Sequence, residues 1–253
     1  MQVDYSLAGR TAIVTGASRG IGRATAIALA EAGANLVLIA RNDKLCQEVA
    51  ETIQGFGQKA MVIGADISVI SLLKDIVTKV VREYGHIDIL VNNAGTAITK
   101  SALELTETEW DKVVDLNLKA TFFMSQAVAP EMIKRGKGKI INIASVLGLV
   151  GEPQVIPYCA SKGGVIQLTR ALAAEWARYG IQVNAVAPGY ARTAMNEAEL
   201  ENQKVLDHII RKIPLRRLAD VKEIARSVVF LASDAANYIT GAVLPVDGGW
   251  TAV

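Results

Sequence analysis

Short runs rich in valine and isoleucine alternate with longer helix-like stretches from one end of this chain to the other. The runs are Thr11 to Thr15, Asn35 to Ala40, Lys59 to Ala65, Ile87 to Asn92, Lys139 to Ala144, Gln182 to Ala187 and Ala242 to Val246. They are apolar throughout instead of alternating with polar residues, which marks strands covered on both faces. The stretches between them carry helix punctuation. Ile21 to Ala32 stops at Gly33, and Val221 to Ala232 is opened by Asp220 with Glu223 three residues on, a capping-box spacing. Strand, helix and strand repeated in this way require right-handed crossovers, so the pattern predicts an α/β fold: a doubly wound parallel sheet with helices on both faces.

The chain has 253 residues, 51% of them hydrophobic, enough to bury a full core without disulfide or metal staples. No proline- or serine-rich linker, repeat or charge block interrupts the rhythm, which predicts a single domain over residues 1–253. One segment departs from it. Ala191 to Arg217 is charged and irregular, follows the sixth strand and reads as a lid. With 27 Lys+Arg against 25 Asp+Glu, the balance gives no field for nucleic acid or an anionic membrane. The densest basic run, Lys134 to Lys139, reads as a solvated helix end and turn.

The N-terminus lacks an apolar core of secretory-signal length, and no uncharged apolar stretch reaches the ~18 residues that span a bilayer. Two distant cysteines, Cys46 and Cys159, suit a reducing cytoplasm. With only His86 and His208, and no C-x-x-C or H-E-x-x-H, no metal site is expected.

The first strand runs into Gly16-Ala17-Ser18-Arg19-Gly20-Ile21-Gly22. Glycines allow a tight turn and close ligand approach, and the following helix offers free N–H groups and its positive end to a pyrophosphate. The G-x-x-x-G-x-G spacing differs from the commoner G-x-G-x-x-G. The same residues match G-x-S-x-G, the nucleophile elbow of serine hydrolases. Against that reading, the elbow would fall on the first strand and only His208 follows as a base. At the end of the second strand, a ribose 2′-OH calls for a carboxylate and a 2′-phosphate for a guanidinium. Here the strand ends in Arg41, with Arg19 in the glycine loop, so NADP(H) is favoured over NAD(H).

Tyr158 and Lys162 stand four apart at the start of a helix after Pro157, and so share one face. A tyrosine ordinarily titrates near ~10, and nearby positive charge lowers that toward neutrality, making the phenol a usable proton donor and acceptor. Ser145 ends the fifth strand, Asn92-Asn93-Ala94-Gly95 the fourth, and Asn117 opens a long helix after it. Polar groups thus gather at the carboxyl edge of the sheet, where ligands bind in this architecture.

Taken together, Thr15-Gly16-x-x-x-Gly20-Ile21-Gly22, Asn92 to Gly95, Asn117, Ser145, Tyr158-x-x-x-Lys162 and Pro188-Gly189 resemble the short-chain dehydrogenase/reductase family over essentially the whole chain. The resemblance implies a seven-stranded sheet and a catalytic tetrad of Asn117, Ser145, Tyr158 and Lys162. It implies that Tyr158 exchanges the proton with the carbonyl oxygen while Ser145 hydrogen-bonds that oxygen. Lys162 would hold the nicotinamide ribose and lower the tyrosine pKa, and Asn117 would position a water. Cofactor contacts are implied at Gly16, Ser18, Arg19, Gly20, Ile21, Gly22, Arg41, Asp66, Ile67, Asn93, Ala94, Gly95, Tyr158, Lys162, Pro188, Gly189 and Thr193. Asp66 would meet the adenine amine, cap a helix after strand three, or do both, Asn93 would brace the sheet, and Cys159 reads as a small packed side chain. Homotetramers paired through the two long helices and the last strand are also implied.

Within that family the chain is similar to sugar-acid dehydrogenases of the gluconate 5-dehydrogenase group and to 3-oxoacyl-acyl-carrier-protein reductases. The stretch Phe122 to Gln126, His86-Ile87-Asp88 and the ending Val246-Asp247-Gly248-Gly249-Trp250 lean toward the first. The basic docking positions of the second are met by Gly136 and Tyr179, with Arg135 and Arg178 adjacent. Ser145, Gln154, Tyr158, Tyr190 and Arg192 are therefore the candidate substrate residues, with Arg192 meeting an anionic, small-molecule keto or hydroxy acid. A regulator that senses NADP(H) without turnover is the reading from a different class, and an intact tetrad speaks against it.

Overall fold

The computed structural model describes residues 5–253. Strands β1 (Thr11–Thr15), β2 (Asn35–Ala40), β3 (Ala60–Gly64), β4 (Ile89–Asn92), β5 (Gly138–Ile143), β6 (Ile181–Pro188) and β7 (Val243–Val246) form one seven-stranded sheet in the order β3-β2-β1-β4-β5-β6-β7. Every neighbouring pair is parallel. The order reverses between β1 and β4, so their carboxyl ends frame a crevice. Helices α1 (Gly20–Glu31), α2 (Asp43–Gln54), α3 (Leu73–Tyr84), α4 (Glu107–Val114), α5 (Ala120–Arg135), α6 (Ile156–Trp176), α7 (Glu197–Leu200), α8 (Gln203–Lys212) and α9 (Val221–Ala232) fill the connections.

Because side chains alternate along a strand, each apolar run feeds two cores. Ala12, Val14, Leu36, Leu38 and Val91 face α1, α2 and α9, meeting Leu29, Val49, Ile53, Ile224 and Val228. Ile13, Val37, Ile39, Leu90 and Ile140 face α3, α5 and α6, meeting Val80, Met124, Val128 and Leu172. Burying each such side chain contributes roughly 1.5–3 kcal/mol, which is why runs with no polar face settle only in a sheet covered on both sides. The predicted capping box forms: Asp220 accepts from Lys222 N, Glu223 reaches back to Asp220 N, and Arg217 grips Glu223 through two 2.7 Å bonds.

Three expectations change. Ala191 to Arg217 is not irregular: it contains α7 and α8, whose Leu200 and Ile209 are buried, with Ile213 just beyond. Asn117 does not open a helix. It lies inside one continuous helical run, in a π-helical turn at Asp115–Lys119 that joins α4 to α5. The Lys134 to Lys139 run is only partly solvated. Arg135 reaches back to Asp88 at 2.6 Å, and Lys139 is buried in β5 with no hydrogen-bond partner for Nζ.

Candidate active site

The carboxyl ends of β1, β4, β5 and β6 bring the predicted residues to one edge. Gly16 and Gly20 adopt left-handed φ values of 65° and 56°. A Cβ on Gly16 would stand 2.8 Å from Ala94 Cα, and one on Gly22 would overlap the Gly16 carbonyl and the Asn93 amide. The loop is thus folded onto the end of β4 by glycine alone. Thr15 Oγ1 accepts from the N–H groups of Asn93 and Ala94 at 3.0 and 3.1 Å, and Asn93 Nδ2 donates to the Thr15 and Gly16 carbonyls at 2.9 and 3.2 Å. Asn93 is therefore the brace expected of it. Thr15, buried and shared by both loops, received no role from the sequence.

The start of α1 carries no capping side chain and no acid in its first turn. Its free N–H groups and positive end, with a backbone cradle that side chains would fill, fit a pyrophosphate. Ser18 and Ile21 are half-buried in that cradle, and Thr193 comes to it: a Cβ on Gly20 would lie 3.4 Å from Thr193 Cγ2. Gly189, after Pro188, is pressed against Asp247, where a Cβ would stand 2.7 Å from the Asp247 Cα. At the β2 end, Arg41 is exposed and close enough to Asp66 to lower its pKa. The larger cause of that lowering is Ser68, whose Oγ and N donate to Asp66 Oδ1 at 2.7 and 3.0 Å; Asp66 thus orders the turn after β3 and does not cap a helix as expected. Ile67 is buried among the α3-side core residues.

Ser145, Tyr158, Lys162 and Asn117 meet around Gly95. A Cβ on Gly95 would stand 3.1 Å from Asn117 Oδ1 and 3.6 Å from Lys162 Nζ. Lys162 Nζ lies 5.7 Å from the centre of the Tyr158 ring and donates to the Ile143 carbonyl at 2.7 Å. Burial pushes the Lys162 ammonium down to about 8. Burial likewise pushes the Tyr158 phenol up, opposed by a hydrogen bond with Ser145. The direction is thus opposite to the lowering expected for Tyr158: desolvation of the hydroxyl outweighs the Ser145 hydrogen bond. Asn117 is clamped by the Thr96 backbone, accepting from its N at 2.8 Å and donating to its O at 2.9 Å.

Asn117 Nδ2 also donates to Ser161 Oγ at 3.1 Å, and Ser161 Oγ donates to the Tyr158 carbonyl at 2.8 Å. Ser161 was missed. Its signal was a small hydroxyl one residue before Lys162, at a helix position that the fold buries.

The substrate candidates divide. Tyr190 packs with Tyr158, Val146 and Leu147. Gln154 is held at φ 65° with its carbonyl accepting from Lys100 N at 2.7 Å, so its contribution lies in the backbone. Arg192 is exposed and lines a cleft of about 500 Å³ between α1 and α9 with Arg23, Thr193, Lys222 and Arg226. His208 is exposed on α8, and Cys159 packs beside Tyr158. Among the described residues no His/Cys/Asp/Glu group could hold a metal, and no helix is long and apolar enough to cross a membrane.

The family described as enoyl-(acyl carrier protein) reductase matches residues 16–251. The chain is 42% identical over 249 residues to 2-dehydro-3-deoxy-D-gluconate 5-dehydrogenase of Escherichia coli K12, covering 98% of each. It is 42% identical over 241 residues to a 3-oxoacyl-[acyl-carrier-protein] reductase of Staphylococcus epidermidis, covering 95% of this chain and 98% of that one. A gluconate 5-dehydrogenase of Burkholderia cenocepacia, solved in complex with NADP and tartrate, superposes with a TM-score of 0.95 at 38% identity, covering 99% of this chain and 98% of that one. With matches of this extent, on a sheet and glycine turn of this form, the chain belongs to the short-chain dehydrogenase/reductase family and is an NAD(P)-dependent oxidoreductase acting on CH–OH groups.

Proposed function

We propose that the protein interconverts a small polar keto acid and its hydroxy acid, of sugar-acid type, using NADP(H), with Tyr158 as the general acid/base. The observation that carries this is the convergence of Tyr158, Ser145, Lys162 and Asn117 around Gly95, beside the glycine cradle. When bound, the nicotinamide supplies or takes the hydride. Tyr158 gives its hydroxyl proton to the carbonyl oxygen in reduction and takes it back in oxidation. Ser145 hydrogen-bonds the same oxygen and orients it. Lys162, released from the Ile143 carbonyl, holds the ribose hydroxyls, and its charge offsets the cost of forming phenolate in a buried place. Asn117, fixed by Thr96 and Ser161, holds a water on the path to solvent. Arg19 and Arg41 would receive the 2′-phosphate, and Gly20 and Thr193 would hold the pyrophosphate.

The sugar-acid relatives support the substrate class. The carrier-protein alternative has equal identity in its favour, yet Arg135 is spent on Asp88 and Arg178 lies 4.7 Å over the Tyr179 ring, leaving little to offer an acidic partner. In this reading the whole chain is one domain, with residues 191–217 as lid. It works in the cytoplasm as a homotetramer built through α5, α6 and β7.

The test is loss of NADPH absorbance with 5-ketogluconate, neutral diketones and 3-oxoacyl esters. Keto acids should turn over fastest, and Tyr158→Phe should lower kcat by about 10³-fold or more with NADPH binding within about twofold. Retained activity in Tyr158→Phe refutes the proton donor. Turnover of the oxoacyl esters alone refutes the substrate class.

A further inference from the structure

The apolar cluster against which Tyr158 packs includes a residue from the end of the chain. Trp250 is 8% exposed and stacks on Tyr190 with ring centres 5.1 Å apart. Both pack with Val146 and Leu147 below and with Leu200, Ile209 and Ile213 of the lid above. An apolar wall of this kind suits the C–H face of a substrate and leaves its charge to the rim. A cation of the rim does touch this wall. Lys212, the last residue of α8, places Nζ 5.3 Å from the Trp250 ring centre and 3.2 Å from Glu152 Oε2. Glu152 belongs to the loop that leads into α6, so the pair ties the end of α8 to that loop.

An ammonium has three donors. Glu152 takes one and the indole face occupies another direction, while the Lys212 side chain remains 40% exposed. A further acceptor can therefore be received without breaking the clasp. Arg192, the guanidinium that sequence alone offers for this task, lines the α1–α9 cleft instead.

We infer that Lys212 receives the substrate carboxylate and that Glu152 beside it accepts a neighbouring substrate hydroxyl, so that the pair reads a hydroxylated acid. This rests on the keto-acid reading above. A carboxylate next to Glu152 is tolerable only with the ammonium between them, and a hydroxyl donor turns the remaining Glu152 oxygen from repulsive to attractive. A thioester chain carries neither group and gains nothing from the pair.

The experiment compares Lys212→Met, Glu152→Gln and Arg192→Met in the full-length enzyme. The readouts are KM and kcat for 5-ketogluconate and for an uncharged diketone, with KM for NADPH as the check on folding. Lys212→Met should raise KM for the keto acid about tenfold or more and leave the diketone within about twofold, while Arg192→Met leaves both unchanged. Glu152→Gln should raise KM for the keto acid several-fold. Equal rises for both substrates in Lys212→Met would show a lid clasp alone and overturn the inference, as would no change or a larger effect of Arg192→Met. Tartrate binding to the NADP-saturated enzyme, measured by calorimetry, gives the same comparison without turnover. If wild type turns over no keto acid, the proposed substrate fails; if tartrate also binds Lys212→Met as well as wild type, or binds neither, the inference fails with it.

Discussion

Lys139 sits in β5, 5% exposed, with Nζ lacking a hydrogen-bond partner and with the Arg10–Asp234 pair nearby. Burial first, and then the Arg10 charge, push its ammonium down to about 8 from the usual 10.5. The folded state therefore releases this proton at a lower pH than the unfolded chain, and wild-type stability rises between those values. Lys139→Met keeps the stem and removes the charge. It should raise Tm at pH 7 by about 3–8 °C, with the gain shrinking as pH climbs past 8. Calorimetry at pH 7 and 9.5 checks this; a gain independent of pH would show that packing, not charge, is responsible. Nothing in a run of basic residues announces which one is turned inward, because a long side chain follows its tertiary surroundings. The same reason hid the direction of Arg192 and the burial of the Tyr158 hydroxyl, which pushes its pKa up.

At the scale of elements, α6 delivers Tyr158 and Lys162 only in a fixed relation to the helix before it, and Ser161 is the tie. Its Oγ joins Asn117 Nδ2 to the Tyr158 carbonyl. Ser161→Ala removes both bonds and leaves Asn117 with Thr96 alone, a loss of about 1–2 kcal/mol in the placement of Asn117. It should lower kcat about five- to twentyfold while KM for NADPH stays within about twofold; a parallel rise in KM for NADPH would mean that the helix itself has shifted. Elements were the most legible level. Both edges of β1 and β2 and the whole of α9 follow from apolar runs bounded by turn and cap residues. The helices within 191–217 escaped because α7 is four residues long and α8 hides a single buried residue, Ile209, among charges.

For the molecule as a whole, the reversal of strand order between β1 and β4 frames the crevice in which the proposed NADP(H) would lie, and β2 ends beside it. At that end stands Arg41, near Asp66, which Ser68 holds as an anion. Arg41→Ala should weaken NADPH about tenfold or more and NADH by no more than about twofold, measured by fluorescence titration. An equal loss for both would place Arg41 away from the 2′-phosphate. Motif residues near the sheet edge were legible because backbone geometry demands them: only glycine fits where a Cβ would meet Ala94 or Gly16. Rim residues such as Lys212 and Trp250 were not, since they meet only after more than 30 residues of intervening chain have folded.

The π-helical turn at Asp115–Lys119 carries a consequence for how this chain can vary in length. A π turn holds one residue more than the α-helical turn it replaces, and each residue rotates an α-helix by about 100°. Losing a single residue there would restore an ordinary helix with every backbone bond made, and the altered chain would still fold. Asn117 would no longer face Thr96 and Ser161. Most single-residue deletions in a buried helix break the helix itself; here the helix would close, and the loss would fall on Asn117, whose bonds to Thr96 and Ser161 would go together, so the length of the run from α4 to α5 is tied to the placement of that one side chain.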